Sequence, residues 1–183
     1  AVPPSQDGRP RREVVFDKTA PHPLSYGVCI VSAGAVGRRN GQICNTVFQV
    51  TSEPATVAIS INKLNLTHEI LGMATHFSVS VLGEETPMTF IGRFGFRTGR
   101  DFDKMEGVGV RTGVSGCPVV TDNAVAFLEC RLMSSFDCGT HTVFLGELED
   151  AGILSGGATM TYAYYHQVKK GKSPDRAPTF IGK

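Results

Sequence analysis

The sequence has no tryptophan, no CxxC pair, almost no net charge and no long apolar run. Crossing a bilayer takes about 20 consecutive apolar residues, and the longest stretches here are far shorter, which excludes a transmembrane helix and a membrane partner of that kind. Lys plus Arg number 18 against 17 Asp plus Glu, a formal charge of +1. That balance excludes the strong basic field of a nucleic-acid binder and an acidic disordered tail. No secretory h-region is visible near Ala1-Val2-Pro3-Pro4, so residues 1–23 read as a flexible leader. The five cysteines are an odd set without paired spacing, which fits reduced thiols in a cytoplasm better than a disulfide framework.

Several catalytic signatures are also missing. There is no HExxH and no G-x-S-x-G elbow. Cys138 and His141 have no second pair at zinc-like spacing, so no metal site is expected. Gly34-Ala35-Val36-Gly37 is not a dinucleotide fingerprint, and Gly171-Lys172-Ser173 has His166 where a phosphate loop needs its first glycine.

What is present is enough for one domain: 183 residues with 11 Phe and 4 Tyr, a length at which about 70% of the extended-chain surface is buried on folding. Apolar residues alternate with period two and are rich in Val, Ile, Phe and Thr. This predicts strands near 26–33, 43–50, 55–62, 76–82, 124–136 and 140–149, a mainly β fold resembling a small barrel or sandwich. Asn40-Gly41 is placed at a type I′ turn, because both of its central positions need positive φ. Short helices are expected from Thr67 to Met73 and after Thr86-Pro87.

Between Phe94 and Gly116 the chain turns polar and glycine-rich, with Arg100, Asp101 and Lys104 in one dense run. So long an excursion in a small domain usually covers a site or a partner. The aromatic run Tyr162-Ala163-Tyr164-Tyr165 is expected to dock on the body or on a second subunit, and residues 169–183 read as a basic, solvated tail after a domain spanning 24–168.

Lys63, Asn65 and Thr67 sit at a strand-to-helix junction. They make a phosphate cradle there, or else Lys63 is solvated while the other two cap the helix. Cys44, Asn45 and Thr46 follow one another on a strand, where they fit the polar edge of a planar ring or a hydrogen-bond network at a barrel rim. His141 shares a strand face with Val143 and Leu145. It is either a half-buried histidine satisfied by a carbonyl or a donor beside a redox ring.

Four blocks in this order resemble the flavin reductase-like, FMN-binding split-barrel family: Asn40-Gly41-Gln42-Ile43-Cys44-Asn45-Thr46-Val47, Ile61-Asn62-Lys63-Leu64-Asn65-Leu66-Thr67-His68, Phe90-Ile91-Gly92-Arg93-Phe94-Gly95-Phe96 with Gly99-Arg100-Asp101, and Gly139-Thr140-His141-Thr142-Val143-Phe144-Leu145-Gly146. Within the family the chain is most similar to the flavin domain of the high-molecular-weight rubredoxins, with flavoredoxin and an archaeal ferric reductase as relatives.

The resemblance implies a six-stranded Greek-key split β-barrel with short connecting helices, working as a homodimer that binds FMN. It implies an NAD(P)H-dependent oxidoreductase, with NADH or NADPH as donor, passing electrons to rubredoxin or another iron-containing acceptor. An FMN carrier reduced by a protein donor, and a ferric or free-flavin reductase, are the alternatives. Carried over by residue, Asn45, Thr46, Lys63, Asn65 and Thr67 touch the cofactor, Arg100, Asp101 and Lys104 close over it, and His141 and Cys44 lie at the reacting ring. Hydride transfer from a nicotinamide to a flavin needs no side-chain base, so the missing triads do not count against an enzyme.

Overall fold

The computed structural model describes residues 17, 20, 21 and 23–180. Most of the predicted leader therefore lies outside the described residues. β1 (Cys29–Ala35) and β2 (Arg38–Cys44) form a hairpin in which Ala35 faces Arg38. The two residues between them, Val36 and Gly37, have φ of 51° and 72°, the left-handed pair that a type I′ connection demands. The turn thus falls before Asn40-Gly41, which lie inside β2 opposite Ala33 and Ser32. Gly41 serves packing there: a Cβ would stand 3.0 Å from Ser32 Oγ and 3.1 Å from Met105 Cε.

β3 (Val47–Ser52) and β4 (Ala55–Asn62) follow, then α1 (Leu66–Leu71), β5 (His76–Leu82) and α2 (Met88–Gly95). The polar excursion contains β6 (Val110–Thr112), which pairs with β7 (Pro118–Val120) in a small two-stranded sheet. β8 (Ala124–Asp137) and β9 (His141–Ile153) make a long hairpin, and α3 (Tyr162–Gln167) carries the aromatic run.

The main sheet has seven strands in the order β2-β1-β5-β8-β9-β4-β3. It is not the six-stranded Greek-key split β-barrel that the resemblance implies: it has seven strands and does not close. β2 is bonded only to β1 and β3 only to β4, so the sheet ends at both. Where closure would require pairing between its two ends, side chains of β2 and β4 instead face each other across an open cleft.

β1 is buried on both faces because it separates two cores. Cys29, Val31 and Ala33 join Ile59, Ile61, Ile70, Phe77, Val79 and Phe144 on the side covered by α1. Val28 and Ile30 join Leu82, Ile91, Phe94, Met105, Val120, Met160 and Tyr165 on the side covered by α2, β7 and α3. The second core fixes the C-terminal segment: Val28 N–H donates to the Met160 carbonyl and Met160 N–H to that of Leu82, at 3.0 and 2.8 Å. Among the described residues no helix is long and apolar enough to cross a membrane.

Candidate active site

A cleft of about 550 Å³ opens between β2, β4, the start of α1, the end of α2 and the C-terminal segment. Its floor is polar at alternating positions. Asn40, Gln42 and Cys44 come from one face of β2, and Ser60 and Asn62 from one face of β4, as period two requires. Asn40 donates from Nδ2 to Thr67 Oγ1 at 2.8 Å, both side chains being buried. This bond ties the first turn of α1 to β2. Asn65, the N-cap residue, makes no side-chain cap bond and lines the cleft.

Asn62 Oδ1 accepts from the Leu64 N–H at 3.0 Å, which folds the 62–65 turn back on itself. Gln42 Oε1 is shielded from solvent and has no donor among the described residues. A buried acceptor without a partner costs about 1–3 kcal/mol, and a ring N–H would relieve that. Cys44 is buried between the carbonyls of Thr46 and Ser60, each 3.6 Å from Sγ. Burial pushes its pKa up to about 11, so it is a neutral thiol at physiological pH.

At the far end, Arg97 lies over the Phe102 ring at 4.0 Å, and Gly99 presses against β2. A Cβ at Gly99 would fall 2.1 Å from Asn40 Oδ1. Lys104 is only 4% exposed and donates to the Phe94 carbonyl at 3.1 Å. Burial alone drags its pKa down to about 8.

The roof is the segment 172–178. Asn45 Nδ2 donates to Thr179 Oγ1 at 3.0 Å, Arg176 donates to the Leu64 carbonyl at 3.3 Å, and Tyr165 OH donates to the Lys172 carbonyl at 2.9 Å. The backbone of this segment is thereby held against the cleft, while Lys172, Asp175 and Arg176 stay exposed.

Of the residues singled out in the sequence, the structure gathers Cys44, Asn45, Asn65 and Lys104 at the cleft. Thr46 is one step removed and donates to Asn45 Oδ1 at 3.3 Å. Thr67 stands behind Asn40. Lys63 pairs with Asp137 at 2.6 Å, away from the cleft lining, and the same lysine holds the Asp137 carboxyl below its ordinary range.

Arg100 pairs with Glu69 at 3.0 Å. With Asp101 it lines a separate polar depression beside Arg38, Arg39 and Arg111. His141 pairs across strands with Asn62 but does not line the cleft. Its Nδ1 meets Thr140 Oγ1 at 2.9 Å, and its Nε2 is shielded without a hydrogen-bond partner among the described residues. Burial lowers its pKa, and the nearby Arg176 backbone opposes this.

The sequence reading missed Asn40, Gln42, Ser60, Asn62, Arg97 and the roof. Asn40 and Gln42 did carry a signal: two amides spaced i, i+2 with a cysteine next in register mark one polar strand face. Assigning Asn40 to a turn concealed it. Nothing in the composition of 172–178 marks a roof.

The cleft at the open edge of the β-sheet thus joins an amide-lined floor, a neutral thiol and a buried cation, the few convergent polar groups typical of a small-molecule site. Residues 22–172 match the model of the flavin reductase like domain. The chain belongs to that family and is an oxidoreductase of its class. It is 49% identical over 90% of its length to a high-molecular-weight rubredoxin of Moorella thermoacetica, covering 72% of that protein. It is 48% identical over 91% of its length to a ferric-chelate reductase (NAD(P)H) of Archaeoglobus fulgidus, covering 98% of it. Among solved structures, the NADH:FAD oxidoreductase SgcE6 of Streptomyces globisporus superposes with a TM-score of 0.70 at 27% identity, over 83% of this chain and 93% of that one.

Proposed function

We propose that this chain binds FMN in the cleft, is reduced by NAD(P)H, and delivers electrons to rubredoxin or a similar iron-containing protein. The orphaned Gln42 Oε1 carries the cofactor reading: a buried acceptor in a cleft of about 550 Å³ fits a ring edge that donates. FMN supplies the hydride-accepting ring, and no side chain has to act as a base. Asn40, Gln42, Asn45 and Asn62 hold and orient the polar edge. The roof over the cleft keeps water off it, and the Cys44 thiol packs without ionising. The likeness to the rubredoxin of Moorella supports the acceptor.

Anaerobic visible spectra test this reading. The purified protein should be yellow, contain one FMN per chain, and bleach rapidly on NADH or NADPH without added protein. A colourless sample that takes up no FMN refutes it, and yellow protein that NAD(P)H cannot bleach is the carrier of the alternative reading.

The archaeal likeness, which spans nearly the whole of that reductase, favours a second acceptor class, ferric chelates. Steady-state rates with rubredoxin and with a ferric chelate on one preparation separate the two.

The working unit is a homodimer. The outer face of β3, β4, β9 and β8 carries Phe48 (55% exposed), Val50 (48%) and Phe136 (59%) around Val143 and Leu145. Such a patch on a β-sheet marks an interaction surface. Ser60 belongs both to this face and to the cleft, so a second copy seated here also walls the site.

A further inference from the structure

A cleft of about 550 Å³ holds a small molecule and not a protein. A protein that takes electrons from this site has to sit over its mouth, so the surface around the mouth decides which carriers fit. Much of that surface is the C-terminal segment, a basic run in the sequence that the structure lays along the roof. Residues 169–176 hold Lys169, Lys170, Lys172 and Arg176 against Asp175 alone. Four cations less one anion leave +3 there, in a chain whose formal charge is +1.

The pairing pattern sets these cations apart. Arg38, Arg39, Lys63, Arg100, Arg111 and Arg131 all have carboxylate partners. Among the described residues Lys170, Lys172 and Arg176 have none, nor does Arg97, which lines the cleft just after α2. All four are exposed. The backbone that carries them is pinned, because the Lys172 carbonyl accepts from Tyr165 OH and Arg176 donates to the Leu64 carbonyl.

The same rim presents apolar side chains to solvent. Phe96 lines the cleft, Leu64 supplies the carbonyl that Arg176 holds, and Phe180 N–H donates to the Ala177 carbonyl at 3.0 Å; all three side chains are exposed. Apolar contacts among polar, solvent-accessible charges are the anatomy of a protein interface, and unpaired charges of one sign steer a partner of the other. A small anion needs donors that converge. Cations strung along 170–176 and open to solvent suit a broad partner instead.

Resting on the acceptor reading above, we infer that an acidic electron-carrier protein docks over the mouth of the cleft, on the rim formed by Lys170, Lys172, Arg176 and Arg97 with Leu64, Phe96 and Phe180 as apolar contacts. NAD(P)H brings two electrons as a hydride, and each ferric centre takes one. Two carriers therefore dock in turn for each nicotinamide oxidised, both irons end ferrous, and one proton goes to solvent.

The salt dependence of kcat/KM for an acidic rubredoxin, at saturating NADH, tests this on the wild-type protein. The value is expected to fall about tenfold or more between about 10 mM and about 300 mM salt, whereas a basic cytochrome c should react slowly at low salt and gain as salt is added. Lys170→Glu combined with Lys172→Glu should cost about ten- to a hundredfold at low salt. Variant and wild type should converge at about 1 M, where the Debye length is about 3 Å. A folding defect would not be cured by salt. Lys170→Arg combined with Lys172→Arg should keep the wild-type rate.

A rubredoxin rate that salt leaves unchanged, or a deficit of the Glu variant that persists at about 1 M, overturns the assignment. So does a normal rubredoxin rate in that variant with a raised KM for NADPH or for an anionic ferric chelate, which would give the rim to small anions. Wild-type protein that reduces ferric chelates but no carrier protein refutes the acceptor reading itself, whereas rubredoxin reduction without salt dependence refutes only the docking surface.

Discussion

Single atoms decide how the cleft is held. Glycine at position 99 is dictated by the Asn40 side chain, 2.1 Å from where a Cβ would stand. Gly99→Ala must push Asn40 off Thr67 or lift the 97–99 turn. A loss of about 1–3 kcal/mol of stability together with weaker FMN binding is expected, by chemical denaturation and flavin titration. Lys104 gives a pH signature. A free lysine titrates near 10.4, and burial brings this one to about 8. Its folded value lies below its unfolded one, so between the two the unfolded chain holds more protons and stability rises with pH. Lys104→Met should therefore stabilise the ligand-free protein near pH 7, by on the order of 2–3 kcal/mol, with the gain fading toward pH 10. Denaturant unfolding of both proteins at the two pH values measures this. Arg93, Arg97, Asp103 and Glu106 are common to both chains and cancel in the difference. We propose that His141, opposite Asn62 in the β4–β9 register but outside the cleft lining, is a positioning residue. His141→Ala should lower the limiting rate of flavin reduction with FMN affinity and nicotinamide Kd retained, as stopped-flow traces would show. Cys44, Asn45 and Asn65, singled out in the sequence where strands turn polar, all line the cleft. Lys63 and Arg100 stand outside that lining, because a surface charge finds its partner through the fold, and Asp137 and Glu69 lie far off in sequence.

Elements were legible in proportion to their periodicity. The strands predicted at 55–62 and 76–82 are β4 and β5, since Ile59, Ile61, Phe77 and Val79 alternate with smaller or polar neighbours. The segment 43–50 was misread as one strand, because Cys44 ends β2 and Val47 begins β3, and the bend at Asn45-Thr46 has no glycine or proline to announce it. Closure into a barrel could not be read at all, for it depends on whether the end strands meet, which no local pattern encodes. The β8–β9 hairpin joins the two ends of the sheet, and its tightest point is Gly146. A Cβ there would lie 2.5 Å from Phe77 Cε1 and 2.8 Å from Cys130 Cβ. Gly146→Ala should cost about 2–4 kcal/mol by overpacking, seen as a lower Tm with unchanged far-UV spectra.

At the level of the molecule, Ser60 belongs both to the outer sheet face and to the cleft, so the proposed homodimer couples association to cofactor binding. Phe48→Asp together with Phe136→Asp should convert a dimer into monomers in sedimentation velocity and weaken FMN at the same time. A wild-type protein that sediments as a monomer, with full FMN affinity, would separate the two properties.

The placing of sulfur has a consequence for durability. Cys29, Cys44, Cys117 and Cys130 are buried, while Cys138 is exposed. Burial lifts the Cys29, Cys117 and Cys130 thiols to about 12. Oxidants attack thiolates that they can reach, and reduced flavins exposed to air generate peroxide. Damage from leaked turnover should therefore accumulate on Cys138 alone, at the hairpin tip, while the interior outlasts many futile cycles.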